Sequence, residues 1–186
     1  MKRDQITPKV LRDLLSYAPE TGVLTWSARR PEVFDGGSKS PEHLCAIWNA
    51  KYAGTLADTQ DGQGYVRLSI FEIKIRAHRA AWAIYYGDWP SNFIDHINGV
   101  RSDNRINNLR DVPRALNQRN MKLAKNNTSG TVGVTWNKAL EKWEAKIQVN
   151  GKTKYFGVFS NKDDAIAARL SASVSNNFHI NHGRVQ

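Results

Sequence analysis

Two Asn-Gly pairs, Asn98-Gly99 and Asn150-Gly151, constrain this 186-residue chain more than any other feature. Asn-Gly supplies the consecutive positive-φ positions of a tight hairpin turn, so each pair should close two antiparallel strands. Before the first pair, apolar Phe93-Ile94 leads into Asp95-His96. After it comes a polar loop at residues 102–107, and residues 108–112, "NLRDV", read as the returning strand. Pro113 then opens a helix predicted to run to about Lys125. Around the second pair the arms are residues 143–149 and 154–159, with residues 132–136 as a third strand. Ser160 or Asn161 caps a following helix, where Asp163 and Asp164 favour the dipole. Its expected buried stripe is Ile166, Leu170 and Val174, with Ala165, Ala168 and Ala172 permitting close packing on a sheet. The expectation is an α+β chain: a strand–strand–helix unit, then a small three-stranded antiparallel sheet with one packed helix.

The remainder reads in order. Residues 6–16 predict a helix capped by Thr7, with Pro8 at its first position and an apolar stripe of Val10, Leu11, Leu14 and Leu15. Glu20-Thr21-Gly22 is a turn into a strand at Val23, Leu24 and Trp26. Residues 29–51 read as a long surface loop with a short helix near "PEHLCAIWNAKYA". Asp61-Gly62 and Gly64 mark a turn before two strands at residues 65–70 and 73–77, followed by a short helix ended by Gly87. The expected divisions are residues 1–64, 65–125, a linker at 126–130, and 131–186.

A formal net charge of +10 and a pI of about 9.9 point to a polyanion partner, nucleic acid first. Cys45 is the only cysteine, which excludes an intramolecular disulfide and a Cys-based zinc finger. His43 lies beside it, but two residues do not close a zinc site. There is no apolar run of signal-peptide or membrane-spanning type, so a soluble intracellular protein without a membrane partner is expected.

The chemistry-bearing residues concentrate between Ile94 and Asn120. Phosphodiester hydrolysis needs an activated water, charge neutralisation at the phosphate, and help for the leaving oxygen. A neutral imidazole, with an ordinary pKa of ~6.5, can accept the water's proton, and His96 is the candidate. A hard divalent cation supplies the other two functions. Asp95 offers a carboxylate oxygen and Asn117 an amide oxygen, both suited to Mg²⁺, with Mn²⁺ as an alternative. Asn108 either holds the loop or orients His96 through its amide. Arg110, Arg114 and Arg119 can hold phosphates. His78 is either a second catalytic histidine or a packing residue beside the site. The competing reading of the whole stretch is a buried, satisfied histidine among turn-forming Asn residues.

The stretch "HRAAWAIYYGDWPSNFIDHINGVRSDNRINNLRDVPRALNQRN" closely resembles phage and intron-encoded HNH endonucleases, in the variant whose last motif residue is Asn. The resemblance covers about residues 65–125, and the "YAPETGVLTW" opening is also of a kind seen in such phage proteins. It implies a ββα-metal nuclease domain with His96 as general base and Asp95 and Asn117 as metal ligands. Asn108 becomes the middle, structural Asn, and Asn120 has no assigned role. A homing-endonuclease-like enzyme in the cytoplasm of a phage-infected bacterium follows as the expected setting.

Residues 121–160 carry seven Lys against two Glu. Lys142, Glu144, Lys146 and Gln148 alternate and share one strand face, with Trp136, Lys138, Lys152, Lys154 and Tyr155 on or near the neighbouring strands. A basic sheet of this size can enter the major groove of duplex DNA. The segment "SGTVGVTWNKALEKWEAKIQVNGKTKYFGVFSNKDDAIAA" resembles the small DNA-binding domain of plant ethylene-response factors, with fewer arginines on the sheet. The sequence therefore predicts a metal-dependent endonuclease of double-stranded DNA. The alternative is a non-catalytic DNA-binding regulator with a decayed nuclease domain. Nicking or double-strand cleavage, and monomer or homodimer, stay open.

Overall fold

The computed structural model describes residues 6–35, 37–114, 117, 123–124, 126–149, 151–176 and 178. The chain divides into two compact units. One contains the chain up to His96 with Val100–Asp111, and the other contains Ile97–Gly99 and the chain from Val112 onward.

The first unit begins with α1 (Pro8–Leu14), where Thr7 caps by accepting the Val10 N–H at 3.3 Å. The expected helix to residue 16 ends earlier. Leu15 turns extended and starts β1 (Leu15–Ala18), which pairs with β2 (Val23–Trp26) in the register Leu15–Trp26 to Ala18–Val23. Ladder hydrogen bonds to β2 outweigh another turn of helix there. The segment expected to be mostly loop holds α2 (Pro41–Tyr52), a full helix with Ser40 as its cap and Pro41 at its start. Cys45 on this helix is buried and His43 is exposed, so they do not act as a pair.

A three-stranded antiparallel sheet follows, in the order β3 (Thr59–Gln60), β4 (Val66–Ile70), β5 (Ile73–Arg76). It feeds α3 (Ala77–Tyr86), which ends on Gly87 at φ +83°. Glycine adopts that left-handed backbone without a Cβ penalty. Strands β6 (Phe93–His96) and β7 (Leu109–Val112) pair as a two-stranded sheet, but residues 97–108 lie between them and Asn98 lacks a positive φ, so Asn98-Gly99 does not close the tight hairpin expected there.

The main core joins α1, β1, β2, β4, β5 and α3 through Leu11, Leu14, Leu24, Leu68, Ile70, Ala77 and Ala80. Each fully buried leucine contributes about 1.5–3 kcal/mol. This core crosses the division expected at residue 64, because the N-terminal helix and hairpin supply much of the apolar surface that covers α3. A smaller cluster of Ala81, Ile94 and Leu109 lies where α3 meets β6 and β7.

In the second unit, β8 (Val134–Asn137), β9 (Lys142–Val149) and β10 (Lys152–Phe159) form an antiparallel sheet with β9 central. Helix α4 (Lys162–Ser175) is capped by Asn161, whose side chain accepts the Asp163 N–H at 2.8 Å. Its expected apolar stripe is corrected. Leu170 is 55% and Val174 79% exposed, whereas Ala165, Arg169 and Ala172 are buried, and only Ile166 of the stripe packs on the core. Small side chains let the helix lie close to the sheet, and a leucine facing it would hold the two apart. The same closeness requires Gly133, where a Cβ would come within 2.2 Å of the Lys146 carbonyl oxygen and 2.6 Å of Arg169 Nε. Among the described residues no helix is long and apolar enough to cross a membrane.

Candidate active site

Four segments of the first unit meet around His96, which is 4% exposed at the end of β6. The entry to β6 is tied down from two sides. Arg79 on α3 donates to the carbonyls of Asn92 and Pro90 at 3.0 and 3.2 Å. The Asp111 carboxylate on β7 accepts the Ser91 and Asn92 N–H groups at 2.7 and 2.8 Å.

The Nε2 of His96 lies 3.3 Å from Asn104 Oδ1. An amide oxygen only accepts, so this contact selects the Nε2–H tautomer and leaves the neutral ring's lone pair on Nδ1. Burial pushes the His96 pKa below the ordinary histidine value, while the Asn104 bond and the Asp95 carboxylate oppose that shift. Sequence reasoning did not single out Asn104, which is buried in a loop rich in similar residues. Asn108 Nδ2 donates to the Asp103 carbonyl at 2.8 Å, a bond that holds the loop.

The His78 ring meets His96 edge-on at 5.1 Å between centroids, and Tyr65 packs on both histidines at 5.5 and 5.9 Å. Tyr65 is in turn flanked by the Arg76 and Arg101 guanidiniums, 4.1 and 4.8 Å from its ring. Arg76 and Arg67 both pair with Asp61, at 2.9 and 2.7 Å. Burial, with His96 next, pushes the His78 pKa down to about 3. His78 is therefore neutral at physiological pH.

This shift has a consequence for stability. An unfolded histidine protonates below about 6.5 while folded His78 does not, so the unfolded state binds more protons between about 6.5 and 3. Stability from this group is complete above that window and falls as the pH drops through it, by about 2 kcal/mol at pH ~5. Chemical denaturation of the natural chain and of His78→Gln at pH ~7 and pH ~5 should show a loss on acidification that is larger by that amount in the natural chain. Parallel pH dependences would show that His78 protonates as readily folded as unfolded.

Asp95 is held by Arg110, whose Nε and Nη2 donate to Asp95 Oδ2 at 2.9 and 2.6 Å. Arg110, read from the sequence as a phosphate contact, thus spends two of its N–H groups on the carboxylate of the paired strand. Arg114 is exposed in a helical turn, and the Asn117 N–H in the same turn bonds the Pro113 carbonyl at 3.1 Å. Arg119, Asn120 and most of the predicted helix to residue 125 lie outside the described residues. Among the described residues no three or more His, Cys, Asp or Glu side chains cluster as a metal cage. Mg²⁺ commonly takes one or two carboxylates and completes its shell with water and phosphate. Carboxylate and amide oxygens are both donor types that suit it.

The N-terminal hairpin braces the Asn104 loop. Tyr17 Oη donates to the Asn104 carbonyl at 2.7 Å, and the Ile106 N–H bonds the Pro19 carbonyl at 3.1 Å. Gly22 lies against the same loop, where a Cβ would come within 2.4 Å of Arg105 N and 2.5 Å of the Asn104 carbonyl carbon.

On the sheet of the second unit, register separates the expected DNA-binding residues. Lys146 stands opposite Tyr155 and Gln148 opposite Thr153, so with Lys142 and Glu144 they share the face turned away from α4. Tyr155 is 67% exposed there, and Lys146 pairs with Glu144 at 2.9 Å. Lys154 stands opposite buried Ile147, Lys152 opposite Val149, and Trp136 opposite Trp143, which places all three on the helix side. Lys138 is exposed just beyond β8. The alternation of β9 was legible in sequence, but the pairing that sorts its neighbours was not.

Residues 76–119 match the family described as HNH endonuclease. The chain is also 37% identical over 82 residues to Protein 3.8 of Escherichia phage T7, a stretch covering 44% of this chain and 68% of that protein. No solved structure matches the chain.

Proposed function

We propose that this chain, which belongs to one family with Protein 3.8 of Escherichia phage T7 and carries an HNH endonuclease domain, is a metal-dependent endonuclease of double-stranded DNA. The observation that supports it most is a buried His96 held by Asn104 beside the Asp95–Arg110 pair, inside the HNH-matching segment. His96 Nδ1 takes the proton of the attacking water while Nε2–H stays on Asn104. Asp95 and Asn117 are the proposed oxygen ligands of a divalent cation, Mg²⁺ in the first instance. When bound, that ion neutralises the phosphate and assists the leaving oxygen. Arg110 fixes the carboxylate, Asn108 fixes the loop, and Arg114 and Arg119 are proposed to contact phosphates.

The decisive assay incubates the purified chain with supercoiled plasmid and either Mg²⁺ or EDTA. Relaxed or linear product with Mg²⁺ alone is expected. Intact plasmid under both conditions, on host and phage DNA alike, would end the nuclease reading. The Arg110 clamp on Asp95 is the one observation favouring a non-catalytic DNA-binding protein, and that outcome would select it.

The C-terminal sheet is the proposed duplex-docking surface, in the manner of the ethylene-response-factor domain it resembles. Lys142, Lys146, Gln148 and Tyr155 form its outer face. Lys138 contributes from the edge, and Lys152, Lys154 and Trp136 lie on the helix side. Lys146→Ala should weaken duplex binding across sequences and lower the salt slope by about one. Lys154→Ala should do less. Equal affinity and slope for Lys146→Ala and the natural chain in a salt titration would reject docking through this face.

A further inference from the structure

The first unit has a recess of about 440 Å³ that His96 does not line. Its walls include Trp26, Arg29, Trp48, Tyr52, Asp58 and Arg67. The Arg29 guanidinium lies 3.8 Å from the Trp48 ring centroid, 5.7 Å from Trp26 and from Phe71, and 6.0 Å from Phe34. Cation–π attraction holds a guanidinium among such rings but does not neutralise it. Arg29 joins no ion pair among the described residues, and its Nε is buried without a hydrogen-bond partner there. Burial accordingly pushes its pKa down from the ordinary arginine value.

The backbone at Arg29 is firmly placed. Its N–H bonds Asn49 Oδ1 at 2.8 Å, and its carbonyl accepts from Asn49 Nδ2 at 2.9 Å and Cys45 Sγ at 3.1 Å. A fixed cation without a carboxylate, next to accessible rings, suits an anion that carries a flat base. Tyr52, 5.2 Å from Trp48, is 37% exposed and offers such a ring. Arg67 is already paired with Asp61, and Asp58 on the rim disfavours a bare anion while accepting from a base N–H. A smaller recess of about 250 Å³ shares Leu56, Ala57 and Asp58 with this cleft and reaches Asn104, the partner of His96.

We propose that the Arg29 cleft binds one unpaired nucleotide of a DNA strand, with its phosphate on Arg29 and its base against Tyr52 and Trp48. The adjoining recess then leads that strand toward the catalytic loop. This deepens the DNA-substrate part of the reading above and does not depend on cleavage.

The test uses the full chain in EDTA with a labelled short oligothymidylate, and a blunt duplex in parallel. Arg29→Gln and Tyr52→Ala should each weaken oligothymidylate binding by about tenfold, the order of one lost base–aromatic stack, with duplex affinity nearly unchanged. Tyr52→Ala guards against a folding failure of Arg29→Gln, with circular dichroism and melting checked for both. No binding of oligothymidylate by the natural chain would overturn the proposal. So would unchanged binding by folded variants, or an equal loss on duplex. Loss of plasmid cleavage with Mg²⁺ bears only on the nuclease reading, because EDTA removes that step from the binding assay.

Discussion

Replacing His96 with Ala should lower plasmid cleavage by at least about 100-fold, the lower end of what a positioned general base contributes. The side chain is buried, its Nε2 is engaged by Asn104, and its neighbours among the described residues include the His78 and Tyr65 rings and the Asp95 carboxylate paired with Arg110. Removing the imidazole leaves the His78 ring, which lies 5.1 Å from His96 between centroids. His78 is neutral but strongly desolvated, with a pKa of about 3, and is therefore a poor proton acceptor. It should not rescue the reaction. His96→Gln, which keeps an amide in hydrogen-bond reach of the Asn104 loop, should fold better and be equally inactive. Initial nicking rates, normalised to the folded fraction from circular dichroism, supply the check. A folded His96→Gln that cuts at the natural rate would remove His96 from the mechanism.

A second large effect is expected far from the histidine in sequence. Gly22→Val should destabilise the chain by about 3–5 kcal/mol and abolish cleavage in whatever folds. Two causes add. Gly22 has φ +76°, a backbone that costs a branched residue about 1–2 kcal/mol. A Cβ there also collides with the backbone of Asn104 and Arg105, which cannot rotate away as a side-chain tip can. The displaced Asn104 carries His96 with it. Gly54→Val separates the two causes, because Gly54 has φ +79° with nothing within 4 Å of its would-be Cβ. Chemical denaturation should place Gly54→Val about 1–2 kcal/mol below the natural chain and Gly22→Val well below that. Equal losses for the two would mean that the loop gives way and the brace is unimportant.

Local chemistry was the legible part of the sequence. Thr7 and Asn161 cap helices, Gly87 ends one, and the strands lie within a few residues of expectation. Asp95-His96 stood out because an ionisable pair follows an apolar strand. Long-range pairings were not legible. Nothing in "SDNRINN" distinguishes Asn104, which reaches His96, from Asn108, which holds the loop, until the loop is folded. Arg110 looked like a phosphate ligand because arginines near a nuclease motif usually read that way, and its cross-strand carboxylate is invisible in one dimension. The α4 stripe misled because hydrophobicity favoured Leu170 and Val174, whereas the sheet selects for small side chains. Arg29 drew no attention among the many basic residues, since its ring of aromatics comes from distant segments.

The Tyr17–Asn104 bond and the seat of Gly22 also bear on genetics. Inactivating alleles selected in a screen should not gather only around the histidine. They should also fall in the first two dozen residues, at positions that touch no substrate. There they would resemble catalytic lesions in a cleavage assay and folding lesions in a melt. A nuclease segment cut out at residue 65 and fused elsewhere would carry the same defect by design, as it leaves its brace behind.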